Sequence, residues 1–156
     1  MFLDELGQIT EIEYINDSNK WILNDLYSKN IEYMKDLNVK DQNNVDECIK
    51  CNNDLGKRKA FYTKIGGSVW GFMDCYIDYP NEGSIYINYF LVDKNYHNIE
   101  FGMEFMRDFT CLALKEYDQI VLSKFANKPE VIRFWNSLGF DVANSPNTLK
   151  ILRRQQ

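Results

Sequence analysis

The chain carries four cysteines and a single histidine, the residue types of a zinc site or a reactive thiol. Cys48-Ile-Lys-Cys51 has the CxxC spacing of half a tetrahedral zinc site, which sets two thiolates on one turn of chain. The other half is missing: no second CxxC or histidine pair accompanies it, and His97 is the only imidazole. No metal is therefore expected. Cys75 falls in a strand-like run and Cys111 in a helix-like run, where a thiol acts as a small apolar side chain. Such cysteine usage fits a reducing compartment. Met1–Gly7 lacks the basic segment and long apolar run of a signal peptide. No stretch nears the roughly 18 apolar residues of a membrane span. The expectation is a cytoplasmic protein that does not engage a membrane.

Charge is distributed unevenly. The 156 residues carry 18 bases and 23 acids, a net charge of −5. Residues 1–54 hold 12 acids and 5 bases (net −7), while residues 55–156 hold 11 acids and 13 bases (net +2). An acidic chain argues against a nucleic-acid partner, which needs a basic face to neutralise phosphates. With 45% hydrophobic and 15% aromatic residues, the chain can bury a sizeable core as one domain over residues 1–156.

The elements that must position any site follow from turn chemistry and apolar period. Ile9–Tyr14 reads as a short strand. Asp17-Ser18-Asn19 offers helix N-cap chemistry, and Trp21, Ile22, Leu26, Tyr33 and Leu37 recur at roughly helical spacing. Residues 41–56 are polar, with a second short helix ending near Gly56. Ala60–Ile65 and Ser68–Ile77 flank Gly66-Gly67, a two-residue hairpin signal. Asp78–Gly83 reads as the next turn and leads into a third strand, Ser84–Val92. From Phe101 the period becomes helical, with Phe105, Met106, Phe109, Leu112 and Ala113 on one side. Gln119–Ser123 reads as a strand, Pro129–Leu138 as a helix closed by Gly139, and Leu149–Arg153 as a last strand. Hairpins followed by a late βαβ-like crossover indicate an α/β or α+β sandwich.

Two segments, Leu91–Met106 and Asn127–Phe140, resemble the GCN5-related N-acetyltransferase (GNAT) family. Leu91–Met106 (Leu-Val-Asp-Lys-Asn-Tyr-His-Asn-Ile-Glu-Phe-Gly-Met-Glu-Phe-Met) is similar to that family's hydrophobic strand, Arg/Gln-x-x-Gly-x-Gly/Ala loop and amphipathic helix. Asn127–Phe140 (Asn-Lys-Pro-Glu-Val-Ile-Arg-Phe-Trp-Asn-Ser-Leu-Gly-Phe) resembles its Asn-x-x-Ala-x-x-Phe-Tyr-x-x-x-Gly-Phe helix. The similarity spans roughly residues 60–153. It implies a mixed, mostly antiparallel central sheet flanked by helices, with two strands splayed at the cofactor site. It also implies acetyl-CoA as cosubstrate. Pantetheine would pair with the free backbone of Phe90, Leu91 and Val92 like an added strand. The pyrophosphate would meet the loop and helix start at His97, Asn98, Ile99, Glu100, Phe101, Gly102 and Met103, where unpaired N–H groups favour an anion. Asn127, Phe134 and Trp135 would line the same site.

The chain departs from the family pattern at three places. His97 stands at the Arg/Gln position, where it either contacts a phosphate or stays a loop residue. Glu100 stands at the first glycine; it either turns to solvent as a first-turn helix acid or weakens coenzyme A binding by charge repulsion. Trp135 stands where many members carry a Tyr thought to protonate the leaving thiolate; it either packs on pantetheine or belongs to the core, since indole N–H is only a donor. For the base, strand alternation assigns Tyr86, Asn88 and Phe90 to one face and Ile85, Ile87, Tyr89 and Leu91 to the other. The strand has no carboxylate. Tyr86 and Asn88 are then candidates to hold a water relaying the amine proton to Glu82 or Asp74, or they are ordinary sheet residues.

The reading implied is acetyl transfer from acetyl-CoA to a primary amine, on a small molecule or a peptide, by direct attack in a ternary complex. Tyr76, Tyr79 and Tyr86 either stack on the acceptor's cation or pack in the sheet. The acidic N-terminal third would draw a cationic acceptor. The alternative is a catalytically degenerate acyl-CoA-binding or protein-interaction domain on the same fold. Many members dimerise, so a homodimer through a strand edge is also compatible.

Overall fold

The computed structural model describes residues 1–31, 49–50, 57–97, 100–123, 125, 128–143 and 147–153. In chain order these form α1 (Phe2–Ile9), β1 (Glu11–Tyr14), α2 (Lys20–Lys29), β2 (Arg58–Ile65), β3 (Ser68–Ile77) and β4 (Ser84–Val92). A 3-10 turn (Lys94–Tyr96), α3 (Phe101–Glu116), β5 (Gln119–Leu122), α4 (Pro129–Ser137), β6 (Asp141–Val142) and β7 (Leu149–Leu152) follow. All these strands join one seven-stranded sheet in the order β1-β2-β3-β4-β5-β7-β6. Among them, β4 and β5 alone pair in parallel. The mixed, mostly antiparallel sheet with flanking helices agrees with the expectation.

Gly66 and Gly67 have φ of 54° and 82°, left-handed at both turn centres. That conformation matches the twist of the β2–β3 hairpin it closes. The Asp78–Gly83 turn holds Asp78 at φ 56° and Gly83 at φ 85°, with a cis Tyr79–Pro80 peptide. Asp78 Oδ1 accepts the Gly83 N–H at 2.9 Å, which delivers the chain into β4.

The sheet separates two cores. On one face Phe61, Met73, Cys75, Ile85, Ile87, Phe90, Ile120 and Leu122 pack under Phe2, Leu6, Phe105, Phe109 and Trp135 from α1, α3 and α4. On the other, Ala60, Tyr62, Phe72, Tyr89 and Leu91 pack under Leu23 and Leu26 of α2. Tyr62 and Tyr89 are buried but satisfied: Tyr62 donates to the Asn19 carbonyl at 2.7 Å, and the Tyr89 and Tyr27 hydroxyls meet at 2.5 Å.

The expected first strand is present as β1, but α1 before it was not foreseen; Phe2, Leu3 and Leu6 form its short buried stripe, and Phe2 meets Phe109 edge-on at 5.3 Å. Asn19 does cap α2 by position, yet its side chain bonds backward, accepting from Asn16 N–H at 2.8 Å and donating to the Tyr14 carbonyl at 3.0 Å. Strand β6, only two residues long, carried no alternation to read. Tyr33, Leu37, the short helix near Gly56 and the Cys48–Cys51 pair lie outside the described residues.

Candidate active site

Strand β4 is interrupted by one extra residue. Cys75 pairs with Ile87 and Asp74 with Tyr89, so the register passes over Asn88, which forms a β-bulge. A bulge resets the alternation of the strand beyond it. Ile85, Ile87 and Phe90 accordingly face α3, whereas Tyr89 and Leu91 face α2. The expected sharing of one face by Asn88 and Phe90 is thereby corrected. At the bulge β4 also leaves its parallel neighbour. Its pairing with β5 ends at Ile87–Leu122, while its pairing with β3 continues to Val92. The two strands part there, and the side of Asn88–Val92 turned away from β3 borders the opening between them.

On the α3 face the opening leads into a groove of about 700 Å³. Phe90 and Val92 of β4, the start of α3 and one side of α4 form its walls. Phe90 stacks on Phe105 at 5.4 Å, and Trp135 meets Phe134 and Phe140 edge-on at 5.0 and 5.3 Å. The end of α4 fixes Trp135: Gly139, at φ 103°, donates to Asn136 O at 3.0 Å and Phe140 N–H donates to Trp135 O at 3.1 Å. This is the paired C-terminal closure in which glycine takes the left-handed position and an apolar contact seals the end. Trp135 is 4% exposed, so it belongs to the core and to the groove wall at once.

Gly102 lies in the first turn of α3 at the groove floor. A Cβ there would lie 3.5 Å from Val92 and 3.7 Å from Phe90. The helix start opens toward the groove, as an anion site requires. His97 Nε2 lies 2.6 Å from the Val92 carbonyl. A carbonyl only accepts, so Nε2 carries the proton and the ring pins the loop to the end of β4. Glu100 occupies the N-cap of α3, makes no side-chain capping bond and is one of the residues lining the groove.

On the opposite face of β4 lies a second cavity of about 600 Å³, lined by Tyr76, Tyr79, Tyr86, Asn88, Ser123 and Thr148 with Pro80 and Val121. The three tyrosine rings touch one another at centroid distances of 5.5, 6.3 and 5.4 Å. Tyr86 and Ser123 hydroxyls meet at 2.5 Å just where β4 and β5 part. Behind this wall Arg58 grips Asp74 with two bonds of 2.9 and 2.7 Å, and Asn88 Nδ2 donates to the same carboxylate at 2.7 Å. The Arg58 guanidinium also lies 5.2 Å from the centre of the Tyr76 ring.

Of the residues expected at a cofactor site, Phe90, Val92, His97, Glu100, Gly102, Met103, Phe134 and Trp135 line the groove. Leu91 is turned into the α2 core by the bulge, and Phe101 packs against Trp70 and Tyr96. Asn98, Ile99 and Asn127 lie outside the described residues. Tyr86 and Asn88 line the second cavity, but Glu82 does not; it is exposed in the turn that precedes β4. Asp74 lies behind the cavity wall, fully buried, with Arg58 and Asn88 bonded to its carboxylate. Sequence reasoning missed Ser123, whose partner is 37 residues away, and Arg58, two residues before the expected strand start. It also missed Tyr96, Arg107 and Val131 in the groove. For Arg107 and Val131 the helical period was a usable signal, since they project from facing helices.

No protein-family model matches the chain, and no curated protein matches it by sequence. Solved structures do match. An acetyltransferase from Thermus thermophilus is 14% identical, with a TM-score of 0.75 over 92% of this chain and 95% of that one. The ribosomal-protein-S18-alanine N-acetyltransferase from Escherichia coli is 12% identical, with a TM-score of 0.68 over 94% and 96%. The PaiA N-acetyltransferase from Thermoplasma acidophilum, solved with coenzyme A, is 9% identical, with a TM-score of 0.66 over 91% and 98%. The chain has the fold of these GNAT acetyltransferases. Among the described residues no helix is long and apolar enough to cross a membrane, and no group of three metal-ligating side chains is assembled.

Proposed function

We propose that the chain is an acetyl-CoA-dependent N-acetyltransferase acting on a primary amine. One observation carries this reading: β4 parts from β5 between two cavities that lie on opposite faces of the sheet. Two substrates approaching from opposite sides would meet at Asn88–Phe90, beyond the last β4–β5 pair. The activities for which the structural neighbours are named, one of them holding coenzyme A, support the same reading.

Acetyl-CoA would supply a thioester carbonyl at the opening. The residues of the chain would do the rest. Backbone N–H groups of β4 beyond the bulge would stabilise the oxyanion, the helix start at Gly102 would hold the pyrophosphate, and the aromatic floor would exclude water. On the other face Tyr76, Tyr79 and Tyr86 would receive the amine. Rings favour an ammonium on approach, and a site poor in charge favours the neutral amine that attacks. The Tyr86–Ser123 hydroxyl pair would carry the proton outward. Proximity would supply much of the rate.

The acidic N-terminal third would steer a cationic acceptor over long range. Its acids Asp17, Asp25, Glu11 and Glu13 are paired with Lys20, Lys29 and Lys64 at the surface, so steering rests on the summed field and not on a carboxylate in the pocket. Equal salt dependence for cationic and neutral amines would remove that element. The reading itself is tested by calorimetry with acetyl-CoA and by thiol release over a panel of amines. Failure to bind at millimolar acetyl-CoA would sink it. Binding without turnover would favour the second reading, a catalytically degenerate acyl-CoA-binding or protein-interaction domain on the same fold.

A further inference from the structure

We propose that the buried Arg58–Asp74 ion pair is a positioning device for the acceptor, setting the wall of the tyrosine cavity through Asn88 and Tyr76. The inference rests on the N-acetyltransferase reading and concerns the amine alone.

Asp74 is fully buried and Arg58 is 6% exposed. Placing two charges in a sheet interior costs desolvation, and an apolar pair of similar volume often serves stability as well. Nor is the pair needed to join its strands, because β2 and β3 pair from Arg58–Tyr76 to Ile65–Ser68, with one register shift at Thr63–Lys64, far from the ion pair. What an apolar pair cannot do is direct the bulged residue. The β3–β4 register steps from Ile87 to Tyr89, and it is Asp74 that holds the Asn88 side chain, accepting from Nδ2 at 2.7 Å. A carboxylate only accepts, so the amide cannot flip, and its oxygen edge keeps one orientation in the cavity wall. The same guanidinium lies under Tyr76, 5.2 Å from its ring centre. One buried ion pair thus orders a polar and an aromatic element of the pocket. Both lie on the face opposite the coenzyme A groove, and neither Arg58 nor Asp74 lines that groove.

The single change Asp74→Ala strands the Arg58 charge and is expected to unfold the protein. The informative variant is Arg58→Met/Asp74→Leu, which keeps volume and removes both charges. It is compared with Asn88→Ala and with the triple combination. Probes are acetyl-CoA with an alanine-terminated hexapeptide, Nα-acetyl-lysine amide and spermidine, using whichever the unmodified protein turns over. Expected are an unchanged acetyl-CoA Kd (within twofold) and a rise in amine KM of at least tenfold in both the double variant and Asn88→Ala. The triple variant should show no rise beyond the double variant, because Asn88 acts through its bond to Asp74. An amine KM within twofold of the unmodified protein in Asn88→Ala or in the folded double variant overturns the inference. So do multiplying effects in the triple, or a parallel loss of acetyl-CoA affinity. If the unmodified protein neither binds acetyl-CoA nor turns over any amine, the function reading fails, and this inference falls with it.

Discussion

The hydroxyls of Tyr86 and Ser123 meet at 2.5 Å across the point where β4 and β5 separate. Tyr86 is opposite Val121 in the last stretch of parallel pairing, and Ser123 is the first residue beyond β5. The pair therefore stands at the mouth of the tyrosine cavity, where an attacking amine would lose its proton. Tyr86→Phe should lower kcat by about 100-fold, within the range for a lost acid–base group. Ser123→Ala should lower it less, and the double variant should match Tyr86→Phe. Steady-state kinetics with the preferred amine decide the matter; a Tyr86→Phe enzyme of undiminished kcat refutes the relay.

Glu100, an acidic residue, lines the groove and makes no side-chain capping bond. Replacing it by Gln keeps the shape and removes the charge. Acetyl-CoA should then bind several-fold more tightly in dilute buffer, and the gain should shrink near 0.5 M salt as screening rises. Titration calorimetry at two ionic strengths checks this, and equal affinities in dilute buffer would contradict it.

Gly71 lies where three strands crowd. A Cβ there would come within 2.6 Å of Thr63 Oγ1 and 3.0 Å of the Leu91 carbonyl. The carbonyl is backbone and cannot swing away. Gly71→Ala should cost about 1–3 kcal/mol, seen as a fall of roughly 3–10 °C in Tm. Because Leu91 belongs to the strand that lines the opening, acetyl-CoA affinity should fall as well.

Cys75 is fully buried, and desolvation, followed by the nearby Asp74 charge, pushes its thiol pKa far up. Burial also raises Tyr14 and Tyr117. These groups hold their protons in the folded state at a pH where the unfolded chain has released them. Stability is therefore complete below about pH 8.5, the ordinary thiol value, and declines as pH rises above it. Denaturant titrations from pH 7 to 10 should follow that decline, and Cys75→Ala should flatten its first part. In a Cys48→Ser/Cys51→Ser background, a thiol reagent at pH 8 should label exposed Cys111 at once and Cys75 only on unfolding.

Most of the sheet was legible because its signals are local. Ser68–Ile77 and Ser84–Val92 were bounded correctly by Gly66-Gly67 and by the Asp78–Gly83 turn, and α3 by its apolar period. The groove beside α3 was largely legible too, since its residues sit in two continuous segments. The tyrosine cavity was not. Nothing in Asn88 marks it as a bulge, because a bulge is a mismatch between two strands and has no signature in either alone. That one insertion moved Phe90 and Leu91 to faces opposite to those alternation assigned. Arg58 and Ser123 lay at element ends with partners 16 and 37 residues distant, where only the folded register brings them together.

Among the described residues, the four pairs from Ser84–Gln119 to Ile87–Leu122 are the only strand pairing between β1–β4 and β5–β7. The sheet is two half-sheets joined by a short seam. The width of the cleft beyond that seam is set by side chains of α3 and α4, not by rungs between β4 and β5. Admitting a ligand between the half-sheets breaks no rung of the ladder, so every hydrogen bond of the sheet survives its entry.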